Sequence, residues 1–313
     1  MEFSELRDNL LGLYEAGAHA EAADLIVKVA AQHPEHADEL GYWRLCLASL
    51  LGDRQLALRI LSEAVADGRW FSIRMLRQDP DLAPLQGTPE FERLVAACEA
   101  LRDAAQAKAE RGRLTILPKA ASPTARPPLL VALHGNGSAP ASELDRWTSA
   151  TDKGWLVALP QSTQVETPSG FSWWDRGWAV REAVHHVLEV VKEHDVDPDR
   201  MVLGGFSAGA GLAVRLALGT ELAARGFIAV VPALASPQEI RSLLPSRGQA
   251  RLRGYFVVGD RDQRARALAQ ALKSMLESSD IPCRLEMHPN VGHSYPASFQ
   301  QSLERALDFI LDA

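Results

Sequence analysis

A single serine lies between two glycines where an apolar run gives way to small residues, in the segment MVLGGFSAGAG at 201–211. Residues 205–209 form the pattern Gly-x-Ser-x-Gly. A sharp turn from a strand to a helix excludes side chains at the flanking positions and raises the serine hydroxyl above the sheet. The free N–H groups of the following helix would favour negative charge at the same point. The pattern therefore predicts a nucleophile at Ser207, although small residues also occur where a helix and a strand pack closely.

The base and the carboxylate that such a serine needs are expected later in the chain. A serine hydroxyl is a weak nucleophile and requires a histidine that is held by a carboxylate, in the chain order Ser, Asp, His. We expect His293 as the base because it follows the last apolar strand in a glycine-containing loop, whereas the alternative, His288, is followed directly by Pro289. We expect Asp262 as the carboxylate because it lies further past its strand than Asp260 and can reach across to His293. Asp260 stays open as the alternative, with a turn or helix cap as its other role.

Two N–H donors are needed for the oxyanion that a serine attack would create. The backbone of Ala208, directly after the nucleophile, is one candidate, and Asn136 in the segment HGNGS is the other. Gly135 and Gly137 would let the backbone approach a substrate. We interpret His134 as a structural residue of this loop rather than as a base.

Aromatic residues are concentrated in the segment PSGFSWWDRGWAV at 168–180. As a group they predict an apolar pocket for an acyl or aryl substituent. The alternative is that they only pin the loop onto the core. The predicted substrate-binding residues are Gly135, Phe171, Trp173, Trp174, Trp178 and Phe206. Asp175 is a plausible N-cap of the helix that follows.

From residue 113 onward, apolar strand-like segments alternate with amphipathic helical ones, beginning with RLTILP and ending with CRLEMHP and a final helix. This alternation predicts an α/β fold with a doubly wound, mostly parallel sheet, in a domain covering residues 111–313. Ligands of such sheets bind beyond the carboxyl ends of the strands. The candidate serine, histidine, aspartates and HGNGS segment all follow predicted strands, so we expect them at one edge.

Residues 1–110 predict a small all-α domain. Two units with helical periodicity are interrupted at Gly17 and at Gly52, and each has an alanine after the break, Ala22 and Ala57. Two helical hairpins of roughly 34 residues each are typical of a tetratricopeptide-like repeat. Because two repeats are too few to cover their own apolar ends, we expect them to pack on the second domain, on a protein partner or on another copy of the chain.

The composition excludes some classes of binding partner and indicates a cellular compartment. The 313 residues have a formal net charge of −7, and the first 110 contain 11 basic and 19 acidic side chains. This acidic balance argues against nucleic acid and anionic membranes as partners, and we interpret it as a solvated helical surface. The 3 cysteines are far apart, no long apolar span is present, and the first residues do not resemble a signal peptide. We expect a cytoplasmic protein with reduced thiols.

No cofactor and no metal are predicted. His185 and His186 lie near Glu182 and Glu189, but adjacent helical residues point in different directions, so we interpret the group as a solvated helix face. The segment GNGSAPAS lacks the glycine patterns of phosphate-binding loops.

Together, the segments LLVALHGNGS, GWLVALPQS, FSWWD, DRMVLGGFSAG, VVGDRD and GHSYP resemble an α/β-hydrolase of the phospholipase/carboxylesterase branch, which also includes acyl-protein thioesterases and relatives of dienelactone hydrolase. The resemblance implies a cofactor-free esterase or thioesterase with Ser207, Asp262 and His293 as its triad. Two departures are Ala208, where the family often has Gln, and the basic RDQRAR at 261–266, where it has an apolar Val-Pro turn.

These observations predict a serine hydrolase that cleaves small or medium carboxylic esters through an acyl-enzyme. The alternatives are an acyl thioesterase, a peptidase related to prolyl oligopeptidase, and a protein that binds a partner through its repeats on a degenerate hydrolase scaffold.

Overall fold

The computed structural model describes residues 3–119, 126–234, 237–244 and 251–311. The chain divides into two compact units. The first unit contains residues 1–109 together with 165–170, and the second contains residues 110–164 and 171–313. The domain boundary at 110/111 remains a prediction, and it differs from this division only at residue 110 and in the short segment 165–170.

The first unit is helical, as predicted. Its α-helices are α1 (Phe3–Glu15), α2 (His19–Val29), α3 (Ala37–Leu50), α4 (Arg54–Ala66), α5 (Ile73–Gln78) and α6 (Pro89–Gln106). The breaks after α1 and α3 contain Gly17 and Gly52, whose positive φ angles of 73° and 79° suit glycine. Ala22 and Ala57 are fully buried, which lets the paired helices approach closely. Two helical hairpins therefore follow the predicted plan, while their tetratricopeptide-like character remains a prediction.

The segment 165–170 joins the first unit through hydrogen bonds, one of which runs from the Ser72 hydroxyl to Oε1 of Glu166. The Trp70 indole Nε1 donates to the carbonyl oxygen of Glu166 at 3.2 Å. The N–H of Val165 donates to Oε1 of Gln106 at 2.9 Å. These contacts explain why a segment distant in sequence belongs to the helical unit.

The second unit contains a seven-stranded sheet with the order β1-β3-β2-β6-β7-β8-β9. Its strands are β1 (Gly112–Ile116), β2 (Leu129–Leu133), β3 (Leu156–Gln161), β6 (Met201–Phe206), β7 (Gly226–Val230), β8 (Arg253–Gly259) and β9 (Cys283–His288). The edge strand β1 is antiparallel to β3, and the other pairings are parallel. This confirms the predicted mostly parallel, doubly wound sheet. A separate hairpin pairs β4 (Gln164–Thr167) with β5 (Gly170–Ser172).

Helices cover both faces of the sheet. They are α7 (Pro140–Trp147), α8 (Arg176–Glu193), α9 (Ala208–Leu218), α10 (Pro237–Arg241), α11 (Gln263–Glu277) and α12 (Phe299–Leu311). Apolar residues of α8, α9 and α11 form one core with the sheet, and those of α7 and α12 form the other. Strands buried on both faces need continuous apolar runs, which is the pattern that β2 and β7 show. No helix in the described parts of the chain combines the length and apolar character needed to cross a membrane.

The sheet register brings the predicted site segments together. The last residue of β2, Leu133, pairs with Gly205 of β6, and Phe206 pairs with Val230 of β7. Because these strands are parallel, the HGNGS segment and the Gly-x-Ser-x-Gly turn leave the sheet side by side at its carboxyl edge. The predicted location of the site therefore follows from the observed strand order.

Candidate active site

Ser207 occupies the sharp turn between β6 and α9, with φ 52° and ψ −115°. A residue with a side chain rarely adopts a positive φ angle, so the backbone at Ser207 is strained. The flanking glycines are required by space: a Cβ on Gly205 would lie 2.5 Å from the backbone carbon of Gly209, and a Cβ on Gly209 would lie 2.2 Å from the carbonyl oxygen of Leu133. The N–H of Ser207 donates to the Val230 carbonyl at 2.9 Å, which fixes the turn to the neighbouring strand.

The three residues predicted as nucleophile, base and carboxylate lie in hydrogen-bond contact. His293 Nε2 is 2.9 Å from Ser207 Oγ. Its other ring nitrogen, Nδ1, is 2.5 Å from Oδ2 of Asp262. His293 comes from the loop between β9 and α12, while Asp262 is the N-cap of α11 and accepts from the N–H of Ala265 at 2.9 Å through Oδ1. One imidazole therefore bridges a hydroxyl and a carboxylate.

The protonation of this group follows from the surroundings of Asp262. Burial opposes ionisation of the carboxyl group, but hydrogen bonds from His293 and from the N–H groups of Ala265 and Arg264, together with the charge of His293, lower its pKa below the ordinary value. An ionised carboxylate can only accept hydrogen bonds. His293 must therefore carry a proton on Nδ1, and in its neutral form it directs a lone pair from Nε2 at Ser207.

The rival residues occupy other positions. The N–H of Asp260 donates to the His288 carbonyl at 3.0 Å, and its Oδ1 has no hydrogen-bond partner among the described residues. His288 Nε2 is 3.0 Å from Oε1 of Glu286 and 3.2 Å from Oγ of Ser302. Neither rival shows a contact with Ser207 or His293 in the described structure. The helix cap expected of Asp260 is made instead by Asp262, because Asp262 directly precedes α11.

The two predicted oxyanion donors retain unused N–H groups. Ala208 is the first residue of α9, where helical N–H groups lack acceptors within the helix. Asn136 uses its side chain structurally, because Oδ1 accepts from the N–H of Trp173 at 2.8 Å. Within the described residues, the backbone N–H of Asn136 donates to no protein acceptor. Both N–H groups are therefore available to a ligand.

The segment 134–138, termed the oxyanion loop below, is held by buried polar contacts. His134 is 1% exposed. Its Nδ1 lies 2.8 Å from the Gly135 carbonyl oxygen, and its Nε2 accepts from the N–H of Ser162 at 3.2 Å. Burial lowers the pKa of His134 to about 4, so the ring is neutral at pH 7. These contacts agree with the structural role expected of His134.

The predicted pocket residues fall into two environments. Trp173 is buried, and its Nε1 donates to the His134 carbonyl at 2.9 Å. Phe171 exchanges backbone hydrogen bonds of 2.8 Å with the loop, donating to Ser138 and accepting from Gly137. Both residues therefore hold the loop in place, which matches the alternative interpretation of the aromatic segment.

The other aromatic residues of the group are at least partly exposed to solvent. Trp174 and Trp178 are 43% and 40% exposed, and Asp175 is the N-cap of α8, accepting from the N–H of Trp178 at 2.8 Å. The Phe206 ring meets the His293 ring edge to face at 5.4 Å. A Cβ on Gly135 would lie 2.9 Å from that Phe206 ring, so this glycine makes room for a side chain. Substrate contacts by these residues remain predictions.

Part of the helix face interpreted as solvated is buried. His185 is exposed, and its Nε2 lies 3.1 Å from Oε1 of the half-buried Glu189. Glu182 and His186, however, are only 5% and 2% exposed. Glu182 accepts from the N–H of Thr163 at 3.0 Å, and His186 Nε2 is 3.2 Å from the Gln161 carbonyl oxygen. Their spacing with the buried Ala179, Ala183 and Val190 on α8 was the signal for this inner face.

Two further residues near the site were not identified from the sequence. Glu143 of α7 contacts the oxyanion loop, and Tyr295 lies two positions after His293. A signal for Glu143 was available, since Pro140, Glu143 and Trp147 share one buried helix face.

Among the described residues, one group places three potential metal-ligand atoms within 4.8 Å of one another: Cys46, Asp79 and Asp81, in the first unit. The Tyr42 hydroxyl donates to Asp79 at 2.8 Å, and the Tyr14 hydroxyl donates to Asp81 at 2.9 Å. These carboxylates therefore already have protein donors.

Two family models match this chain, one in each of its two parts. Residues 2–106 match the family model of the A/B hydrolase-like N-terminal domain, and residues 179–311 match that of Phospholipase/Carboxylesterase. A search of curated proteins found no match.

Solved structures share the fold. An uncharacterized protein from Bacillus cereus ATCC 10987 is 28% identical, with 100% of this chain and 99% of that chain covered and a TM-score of 0.56. The Bacillus cereus carboxylesterase is 20% identical, covers 67% of this chain and 99% of its own, and has a TM-score of 0.53. Esterase PE8 is 19% identical, covers 64% and 100%, and has a TM-score of 0.54.

The sheet, the strand-to-helix serine turn and these matches define an α/β-hydrolase that follows a helical N-terminal domain. Residues 179–311 resemble the phospholipase/carboxylesterase family, and residues 2–106 resemble an A/B hydrolase-like N-terminal domain. The resemblance noted in the sequence is thereby confirmed at the level of the family. The match over residues 179–311 supports an esterase-type hydrolase.

Proposed function

We propose that this chain is a serine carboxylesterase that works through an acyl-enzyme. One observation carries the proposal: the continuous contact from Ser207 Oγ through the His293 ring to the Asp262 carboxylate, at 2.9 and 2.5 Å. A nucleophile, its base and the group that orients the base are the minimum set for acyl transfer by a serine.

Acylation begins when Ser207 Oγ attacks the carbonyl carbon of the ester while its proton passes to His293 Nε2. The Asp262 carboxylate stabilises the imidazolium that results. The carbonyl oxygen becomes an oxyanion, which accepts hydrogen bonds from the N–H groups of Ala208 and Asn136. When the carbonyl re-forms, the bond to the alcohol oxygen breaks, and the alcohol leaves with the proton from Nε2. The acyl group remains on Ser207.

Deacylation repeats these steps with water as the nucleophile. Water gives a proton to His293 Nε2 as its oxygen bonds to the acyl carbon, and the same two N–H groups hold the oxyanion. The bond to Ser207 Oγ then breaks and Oγ takes the proton back. The carboxylic acid is released, so that one ester and one water yield one acid and one alcohol.

Small or medium carboxylic esters with an acyl or aryl group are the proposed substrates. The exposed rings of Trp174 and Trp178 support an apolar contact surface. A thioester would undergo the same steps with a thiol as the leaving group. The peptidase alternative has less support, because the described strands form one seven-stranded sheet and one hairpin rather than the four-stranded blades of a propeller.

Replacement of the nucleophile tests the proposal. We expect Ser207→Ala to lower the turnover of short-chain p-nitrophenyl esters about 10⁴-fold or more. Ser294→Ala is the matched control, since it removes a hydroxyl beside His293, and it should retain turnover within about threefold. A fluorophosphonate probe should label the wild type but not Ser207→Ala. Ester turnover that is equal in Ser207→Ala and in the wild type would refute the proposal, and a probe that labels neither would favour the degenerate scaffold.

A further inference from the structure

Glu143 of α7 contacts the oxyanion loop at two points. The N–H of Gly135 donates to its Oε1 at 3.1 Å, and the hydroxyl of Ser138 donates to the same oxygen at 3.2 Å. Gly135 and Ser138 bracket Asn136, whose N–H is one of the proposed oxyanion donors. The position of that N–H therefore depends on the carboxylate of Glu143.

The second oxygen of Glu143 faces the loop at 289–296, termed the histidine loop below, which contains His293. The Tyr295 hydroxyl donates to Oε2 of Glu143 and accepts from Nε1 of Trp147 at 3.1 Å. The Tyr295 ring stacks on the Phe206 ring, with centroids 4.7 Å apart and an interplanar angle of 23°. Tyr295 thus connects the histidine loop to the residue that precedes the serine.

Burial makes these contacts necessary. Glu143 is 5% exposed. Burial raises the pKa of its carboxyl group, while hydrogen bonds from Tyr295, Gly135 and Ser138 oppose the rise. Burial and the charge of Glu143 raise the pKa of Tyr295 well above its ordinary value, so the phenol keeps its proton and can donate. A buried carboxylate that loses one of its donors is left with an unmet hydrogen bond, which is costly.

We propose that Glu143 and Tyr295 form a positioning pair that couples the oxyanion loop to the histidine loop, so that the oxyanion donors and the base are held in one geometry. The inference rests on the proposed function, because it assigns a role in that reaction. Neither residue takes part in the proposed proton transfers. Their role is to limit displacement of two irregular loops, and a displacement near 1 Å is enough to cost about 100-fold in rate.

Tyr295→Phe is the first test, because it removes only the hydroxyl. We expect kcat for a p-nitrophenyl ester to fall about 10- to 100-fold while KM stays within about threefold, since the pocket itself is retained. Tyr255→Phe is the matched control. The Tyr255 hydroxyl also donates to a carboxylate, that of Glu286, at 2.7 Å, but Tyr255 lies towards the amino end of β8, away from the site. Its variant should lose stability and keep kcat.

A merely structural role predicts a different pattern. In that case Tyr295→Phe and Tyr255→Phe would both lose stability in urea unfolding, and both would keep kcat within about twofold of the wild type. This result would overturn the inference.

The coupling itself is tested by a double-mutant cycle with Ser138→Ala, which removes a contact on the oxyanion side of Glu143. If Glu143 joins the two loops, the effects of Ser138→Ala and Tyr295→Phe on kcat should be non-additive in free energy. Losses that multiply independently would contradict the coupling. Glu143→Gln can still accept from Gly135 through its amide oxygen, but its amide group can only donate to the Tyr295 hydroxyl, whose own proton then loses its acceptor. It should therefore keep only part of the kcat that Glu143→Ala loses.

The same experiments separate this inference from the proposed function. If wild-type turnover and fluorophosphonate labelling do not depend on Ser207, the proposed function is refuted and the inference falls with it. If both depend on Ser207 and Tyr295→Phe keeps its kcat, the inference alone is refuted.

Discussion

Asp262 contacts His293 with one carboxylate oxygen and caps the N-terminus of helix α11 with the other. Oδ2 lies 2.5 Å from His293 Nδ1, and Oδ1 accepts from the N–H of Ala265 at 2.9 Å. The cap fixes the carboxylate to a rigid element, and the carboxylate in turn orients a histidine on a loop. The orientation of the proposed base therefore depends on a helix terminus.

Asp262→Asn tests this relationship without removing the cap. The amide oxygen can still accept from Ala265, but the amide group can donate to Nδ1 of His293 and thereby favour the wrong tautomer. We expect kcat to fall about 10³- to 10⁴-fold with little change in stability. Steady-state kinetics and urea unfolding measure the two effects.

Asp260→Asn is the matched control for that substitution. Asp260 is separated from Asp262 by one residue and does not contact His293 in the described structure. We expect its kcat within about threefold of the wild type. An inactive Asp260→Asn beside an active Asp262→Asn would reverse the assignment.

Gly209→Ala should destabilise the second unit. Its Cβ would lie 2.2 Å from the Leu133 carbonyl oxygen, a backbone atom that cannot move away easily. We expect a loss of about 2–3 kcal/mol in the free energy of unfolding, or a failure to fold. Gly177→Ala is the control, because its nearest neighbour is the mobile end of the Arg181 side chain at 3.3 Å. Equal stability of the two variants in urea unfolding would contradict the account of the turn.

The exposed tryptophans should affect substrate binding rather than folding. We expect Trp174→Ala and Trp178→Ala to raise KM for aryl and longer acyl esters, with the stability changed by less than about 1 kcal/mol. Trp173→Ala should instead cost about 3–5 kcal/mol, because that side chain is 5% exposed and packed. An unchanged KM across an ester series in both exposed variants would remove the support for the pocket.

His134 should make stability depend on pH. Its folded pKa of about 4 lies below the ordinary 6.5, so the unfolded chain binds a proton before the folded chain does. The stabilisation is complete above about pH 6.5 and is lost as the pH falls towards 4, by about 3 kcal/mol in total. NMR of the histidine rings should show no titration of His134 above about pH 5. A midpoint near 6.5 would contradict the buried neutral ring.

The main features of the second unit could be predicted because parallel strands buried on both faces require continuous apolar runs. The turn at Ser207 could also be predicted, since backbone atoms leave no room for side chains at Gly205 and Gly209. Hairpin β4–β5 was missed because its strands have only 4 and 3 residues, too few to show a pattern. Helix α7 was missed because it has only 8 residues.

Roles that depend on tertiary contacts were harder to predict. Burial decides the role of Glu182, His186 and Glu143, and a charged side chain on a helix is usually assigned to solvent. Spacing showed that Asp262 could reach His293, but it did not show that the same carboxylate also caps α11. A partner for the helical unit, self-association and a cytoplasmic location remain predictions. Sedimentation of the purified chain tests self-association.

Trapping the proposed acyl-enzyme tests most directly whether Ser207 is the nucleophile. The protein is mixed with p-nitrophenyl acetate, quenched in acid within the first turnovers, digested and measured by mass spectrometry. We expect one acetyl group on the peptide that contains Ser207, absent in Ser207→Ala and accumulating in a variant whose deacylation is slowed. Rapid ester turnover with Ser207 unmodified at every quench time, and undiminished in Ser207→Ala, would contradict this expectation.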